Sequence, residues 1–244
     1  MSRFQGVRVI SFDLDDTLWA IEPVIQRANR VLFVWLEARY PLITQGHTPQ
    51  SLHAVCLDFM HARSQEKHDL TRMRKAFLRH VGQQAGYTHD FSEEAFAIFF
   101  AERNAVELFP EVEAVLVRLA QRYLLVALSN GNACIERIGL TRYFSASVNS
   151  AKVGAAKPDP AMFHAALADL GASAESMLHV GDHPEHDILG AQRAGVRAVW
   201  LNRHAAEWPS HLVPPCAQVN DLQALVALLE LDENEVLISA PSIF

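Results

Sequence analysis

Three cysteines, Cys56, Cys134 and Cys216, are all that 244 residues contain, and they stand far apart with no C-x-x-C pair. That spacing excludes a disulfide framework and a zinc knuckle, so the expectation is a cytoplasmic protein with reduced thiols. Nor is there an apolar run near the ~20 residues that a bilayer span requires. Met1–Gly6 lacks the charged-then-apolar layout of a secretory leader, and the apolar run Val7–Phe12 is too short to be one. Positive charge is also scarce: 21 Lys and Arg against 28 Asp and Glu leave a formal net charge of −7. Such a balance argues against broad binding to nucleic acid or to an anionic membrane. The 12 histidines are scattered without metal-site spacing. There is no internal repeat and no low-complexity tract, and nothing in the sequence sets an oligomeric state.

What the chain does have is apolar material in ordered periods. Half of its residues are hydrophobic and a fifth are charged, enough to bury a core and to exclude intrinsic disorder. Its length suits one domain with an insertion, or two unequal lobes. Short β-branched or apolar runs at Val7–Phe12, Tyr123–Leu128, Met177–Val180 and Val196–Leu201 read as strands. In the second half they alternate with helical patterns, including Val112, Val115, Leu116 and Leu119. This predicts an α/β fold, a Rossmann-like parallel sheet with helices on both faces.

From about Glu22 to Val106 the period changes to that of helices, with the sets Val24, Ala28, Val31, Trp35; Leu52, Val55, Cys56, Phe59; Leu70, Met73, Phe77, Val81; and Phe91, Ala95, Ile98, Phe99. Pro23 suits a first helical turn, and Asp90 with Glu93 resembles a capping box. The expected organisation is a core of residues 1–20 and 107–244, with an all-helical four-helix insertion at 21–106. Asp221–Glu230 reads as a closing helix and Ser239–Phe244 as a loose tail.

The chemistry-bearing residues sit where the strands end. Asp13-Leu14-Asp15-Asp16-Thr17 directly follows the first strand. If the strand continues to them, alternation puts Asp13 and Asp15 on one side. Two carboxylates brought together repel unless a cation shares them, and an oxygen-only set favours Mg²⁺. An Asx-rich turn capping the next helix is the alternative reading. Three further groups follow strand-like runs or lie between them: Ser129-Asn130-Gly131, Lys157-Pro158-Asp159-Pro160, and Gly181-Asp182 with Asp187 five positions on. In an open α/β sheet, loops at the carboxyl ends of strands share one crevice.

Taken in order, these motifs resemble the haloacid dehalogenase-like superfamily: Asp13-x-Asp15-x-Thr17, Ser129 after Val126-Ala127-Leu128, Lys157-Pro158-x-Pro160-x-x-Phe163, and Gly181-Asp182 with Asp187 continuing into Gly190-Ala191-x-x-Ala194-Gly195. The likeness spans residues 7 to 202, and the helical insertion is similar to that family's C1-type cap. The resemblance implies a Mg²⁺-dependent phosphatase, a phosphomonoester hydrolase acting on a small phosphorylated metabolite. Asp13 would be the nucleophile that forms an aspartyl-phosphate, and Asp15 the general acid and base. Mg²⁺ would be held by Asp13, the backbone carbonyl of Asp15, and Asp182. Ser129 and Lys157 would bind phosphate oxygens beside the amides of Asn130 and Gly131, and Asp187 would orient Lys157 or a metal-bound water. The acid at Asp15 separates the chain from the family's dehalogenases, whose halide leaves unprotonated. A phosphonatase would need a cap lysine, for which Lys67 and Lys75 are available, and a sugar-phosphate mutase shares the same core.

Within the family, Phe12–Leu18, His68–Arg74, Ser129–Asn132 and Leu178–Asp182 resemble the bacterial branch acting on flavin mononucleotide and on 5-amino-6-(5-phospho-D-ribitylamino)uracil. Around this frame, Trp19 would either stack on a flat substrate ring or pack core against cap. Arg72, Arg74, Lys75 and Arg79 form either a steering patch for a phosphorylated substrate or a solvated, paired helix face. His179 reads as a core histidine. His183 and His186 flank the site loop, and His183 occupies a position that leaves the metal's outer shell open.

Overall fold

The structure, a computed structural model, describes residues 3–63 and 68–239, except for the side chains of 232–239. Strand β1 (Val9–Phe12) is followed by five helices, α1 (Ile21–Arg39), the single turn α2 (Pro41–Thr44), α3 (Pro49–His61), α4 (Leu70–Gln84) and α5 (Ser92–Arg103). The chain then runs α6 (Val112–Ala120), β2 (Leu124–Ser129), α7 (Ile135–Ile138), β3 (Ala146–Asn149), α8 (Ser150–Val153), α9 (Ala161–Leu170) and β4 (Met177–Gly181). A π-helical turn at Pro184–Leu189 leads into α10 (Gly190–Arg193), β5 (Arg197–Leu201), β6 (Ala217–Val219) and α11 (Leu222–Ser239).

All six strands are parallel, in the order β3-β2-β1-β4-β5-β6. Because β1 sits between β2 and β4, the chain winds away from it in both directions, and a crevice opens at the carboxyl ends of these central strands. Register sets the level of that crevice. Phe12 pairs with both Ala127 and Val180, and the Asp13 amide continues the ladder to the Val180 carbonyl at 2.9 Å. Asp13, Ser129 and Asp182 therefore leave the sheet at nearly one height.

Alternation along the strands divides the core. Ile10, Phe12, Leu125, Ala127, Leu178 and Val180 face one side, closed by α6 and α11. Val9, Val126, Leu128, Val148 and Met177 face the other, against Met162, Phe163 and Ala166 of α9. Burial on both faces makes the strands read as continuous apolar runs.

Helices α1, α3, α4 and α5 enclose a separate cluster that includes Leu32, Leu36, Cys56, Met73, Phe77 and Phe99. Their apolar stripes satisfy one another without the sheet. The two connections to this helical body run side by side, the Phe109 amide bonding the Leu18 carbonyl at 3.0 Å. Among the described residues no helix is long and apolar enough to cross a membrane.

Several details differ from the sequence reading. Strands β3 and β6 are too short and too polar at the sheet's edges to give an apolar period. Asp90 and Glu93 form no capping box: α5 begins after Phe91, Asp90 accepts from the Ser92 amide at 2.9 Å, and Glu93 pairs with Lys75. Helix α11 runs past Glu230 to Ser239, and residues 240–244 of the expected tail lie outside the described residues, as does Lys67.

Phe77 is buried in the helical body and meets Phe59 edge-on, with ring centroids 5.6 Å apart. Phe77→Ala should destabilise the protein by about 3–5 kcal/mol through the cavity it leaves, read as a lower urea midpoint with an unchanged slope.

Candidate active site

Four carboxyl-end segments meet in one cavity of about 170 Å³, whose wall includes Asp13, Asp15, Ser129, Lys157, Asp182 and Asp187. At its floor lies Lys157, buried, with Nζ 2.6 Å from Asp13 Oδ1 and 2.6 Å from Asp187 Oδ1, and donating to the Leu128 carbonyl at 2.8 Å. Burial alone would drive this lysine toward neutrality, but the two carboxylates outweigh it and raise its pKa above the ordinary lysine value. In Asp187 burial pushes the pKa up, while Lys157 and His179 push harder the other way and hold it well below the carboxylate range. Burial raises Asp13 well above its usual value, with Asp187 and Asp182 adding to the rise against the pull of Lys157.

Asp187 holds more than the lysine. Its Oδ1 is 3.2 Å from His179 Nε2, whose Nδ1 meets Ser11 Oγ at 2.9 Å, and its Oδ2 accepts from the His183 amide at 2.9 Å. His179 is thus a core histidine, as its strand position suggested, and also part of a buried polar chain ending at Asp13. Backbone at Gly181 makes this possible, since a Cβ there would stand 2.3 Å from Asp187 Cγ.

Asp13, Asp182 and Asp187 each offer an oxygen, and these atoms lie within 4.8 Å of one another. Thr17 Oγ1 bonds Asp182 Oδ1 at 3.2 Å, and Trp200 Nε1 anchors the Asp182 carbonyl at 2.6 Å. Burial, with Asp187 and Asp16 nearby, pushes the Asp182 carboxyl up to about 7. Three crowded carboxylates face one ammonium, so the residues present fit a hard divalent cation such as Mg²⁺. Since both Asp187 oxygens already accept hydrogen bonds, Asp13 and Asp182 are the freer ligands.

The Asp15 carboxylate is not part of that trio. Arg103 Nη2 contacts its two oxygens at 2.8 and 2.6 Å, and Trp19 Nε1 donates to Oδ1 at 2.9 Å. Burial raises the Asp15 pKa, with Arg103 and Trp19 opposing. Any metal contact from this residue is left to its main chain. Gly131 makes room for the pair, because a Cβ there would come 2.8 Å from Asp15 Oδ2 and 3.2 Å from Arg103 Nη2.

Other expected residues turn out to be otherwise engaged. Trp19 is fully buried, so it cannot stack on a substrate ring; its indole packs in the sheet's core and steadies Asp15. The Asn130 side chain clamps the main chain of Lys157, accepting from its amide at 2.7 Å and donating to its carbonyl at 2.9 Å. Ser129 Oγ lies in the cavity wall and accepts from the Gly131 amide at 3.0 Å. His183 and His186 stack at the rim with centroids 3.9 Å apart, and His183 Nδ1 accepts from the two amides that open the next turn.

Of the two readings of the α4 cations, the paired helix face holds for Lys75 and Arg79, and Arg74 fits neither. Lys75 pairs with Glu93 and Arg79 with Asp90, while Arg74 is buried between Asn29 and the Phe99 ring. Arg103 was not anticipated. A signal was there: it continues the Phe96, Phe99 stripe of α5, placing a cation where the pattern calls for an apolar residue.

A crevice at the switch point of a parallel sheet, lined by carboxylates and one buried lysine, is where an α/β fold binds a polar ligand. The family model for haloacid dehalogenase-like hydrolases matches residues 7–195, and the chain belongs to that family. It is 30% identical over 234 residues to the 5-amino-6-(5-phospho-D-ribitylamino)uracil phosphatase YigB of Escherichia coli, covering 91% of this chain and 96% of that protein. A phosphoserine phosphatase of Thermus thermophilus is 39% identical over 136 residues, 53% of this chain and 55% of that one. A crystal structure described as a 2-haloacid dehalogenase from Pseudomonas syringae superposes with a TM-score of 0.84 at 36% identity, covering 92% of this chain and 99% of that one.

Gly181→Ala should push Asp187 off Lys157. The expected outcome is a loss of at least about tenfold in kcat for phosphate release, with the far-UV circular dichroism spectrum retained.

Proposed function

We propose that this phosphatase of the haloacid dehalogenase-like family hydrolyses a small phosphomonoester through an aspartyl-phosphate on Asp13, with Mg²⁺ as cofactor. The observation that carries the reading is the separation of two neighbouring carboxylates. Asp13 is bound to Lys157 inside the acid trio, whereas Asp15 is held apart by Arg103 and Trp19. Separate environments give separate roles.

One Asp13 oxygen rests on Lys157, and the other attacks phosphorus in line, forming the O–P bond of the acyl phosphate as the bond to the leaving oxygen breaks. Asp15, whose burial keeps its proton to a higher pH than an exposed aspartate, gives that proton to the departing alkoxide. Water then attacks the acyl phosphate, Asp15 takes the water's proton back, and phosphate leaves with Asp13 regenerated. Ser129 Oγ holds a non-bridging oxygen, while Lys157, whose three N–H groups are taken by Asp13, Asp187 and the Leu128 carbonyl, keeps the nucleophile in place. Asp13 and Asp182 would hold Mg²⁺, which supplies charge neutralisation between nucleophile and phosphate. Residues 21–106 act in this reading as the cap domain over the core of 1–20 and 107–244. The likeness to YigB supports 5-amino-6-(5-phospho-D-ribitylamino)uracil as substrate, with flavin mononucleotide the second candidate from the motif resemblance.

The dehalogenase named for the superposing structure carries no support at Asp15: an acid braced for proton donation serves an alkoxide, not a halide. Asp13→Asn should lower phosphate release by at least about 10³-fold, and EDTA should abolish it until Mg²⁺ is restored. A Mg²⁺-independent rate, or one unchanged in the variant, refutes the mechanism.

Trp19→Phe removes a hydrogen bond that favours ionised Asp15, so the Asp15 pKa should rise further. With phenyl phosphate, whose leaving group needs the proton, the alkaline limb of kcat/KM should move to higher pH. With p-nitrophenyl phosphate, a far better leaving group, it should stay where it is.

A further inference from the structure

A second cavity, of about 270 Å³, lies between the helical body and the core and shares Asp15 and Gly131 with the phosphate cavity. Much of its wall is apolar, from Ile25, Met60 and Phe99. Two guanidiniums, Arg74 and Arg103, also line it. They are not equivalent. Arg103 has its counter-charge in Asp15 at 2.6 Å. Arg74, also buried, has no carboxylate partner among the described residues; its Nη1 donates to the neutral Asn29 side chain at 3.1 Å and its guanidinium lies 3.6 Å from the Phe99 ring centre.

Arginine stays charged in proteins, and a buried cation without a counter-charge is costly. Burial lowers the Arg74 pKa and Arg103 adds to that, while the thiol of Cys56 offers only partial relief. Two more polar atoms on residues lining the same cavity, Arg103 Nη1 and His53 Nδ1, are buried with no hydrogen-bond partner among the described residues. A cavity with an uncompensated guanidinium and two orphaned nitrogens is incomplete by itself, and it opens onto the group that protonates the leaving oxygen.

Resting on the phosphatase reading above, we propose that this cavity receives the leaving group and that Arg74 is its specificity-determining residue, binding an oxygen-lined edge of that group. The chemistry required is one or two oxygen acceptors for a guanidinium. A carboxylate offers them as a pair, and a pyrimidine ring offers its carbonyl oxygens one at a time, since a ring N–H stands between them.

Calorimetric binding of free leaving alcohols tests the assignment without turnover: 3-hydroxybenzoate for the carboxylate, riboflavin for the ring carbonyls, and phenol as reference. At least one of the first two should bind the wild type at least tenfold more tightly than phenol. Arg74→Met should erase that advantage while leaving phenol within threefold. Arg74→Gln, which keeps a donor toward Asn29, runs alongside so that misfolding of one variant does not decide the result. The corresponding phosphates, compared by kcat/KM, should follow the same order. Binding of all three alcohols within threefold in the wild type, or an advantage that survives in a folded Arg74 variant, overturns the proposal. Failure of the wild type to release phosphate from phenyl phosphate instead counts against the phosphatase reading and leaves the binding result to stand on its own.

Discussion

The ammonium of Lys157, held at 2.6 Å from each of two buried carboxylates, is the contact around which the site is organised. Three aspartates, Asp13, Asp182 and Asp187, crowd a space that could not hold them all ionised in the absence of positive charge. Lysine supplies one such charge from the floor. It reaches there because Asn130 grips its main chain and because Gly181 lets Asp187 stand against the strand. Removing any of these supports leaves a buried charge unmatched, a costly state that the fold is built to avoid.

A second ion pair, Asp15 with Arg103, joins the two bodies of the molecule. Asp15 belongs to the loop after β1, whereas Arg103 ends the last helix of the helical body. The connections between the bodies are themselves tied, Leu18 to Phe109 and Thr17 with Glu111 to Arg203. Any movement of the helical body relative to the sheet is therefore felt at the Asp15 carboxylate. On the mechanism proposed here this links the placement of the acid to the seating of the helices, since the same arginine lines the cavity beside it.

Much of this was legible in the sequence because strand ends are conspicuous. The runs ending at Phe12, Ser129 and Gly181 combine burial on both faces with an abrupt polar residue, and parallel topology turns such residues toward one another. Edge strands β3 and β6 escaped because half-exposed segments of three or four residues carry no period. Trp19 was open to two readings, as an aromatic beside a nucleophile loop can face substrate or core, and only the full burial of its ring decides. Arg74 and Arg103 were hidden for another reason: a charge on an amphipathic helix is ordinarily solvated. Both in fact lie on the stripes that hold Phe77 and Phe99, a conflict between charge and period that marks them out once noticed.

The same conflict bears on how one frame serves different chemistries. On the proposed mechanism the sheet, the lysine and the acid trio host attack by an aspartate oxygen on phosphorus, and a structure described as a 2-haloacid dehalogenase superposes on the same frame. What differs between such reactions is the fate of the leaving group: a halide departs as it is, whereas an alkoxide needs a proton. Asp15 is buried, which favours its protonated form, yet it is also tied to a guanidinium, which favours its ionised form. A group balanced in this way can both give and receive a proton in one catalytic cycle. That is the requirement of phosphomonoester hydrolysis through an acyl phosphate, and of neither half-reaction taken alone.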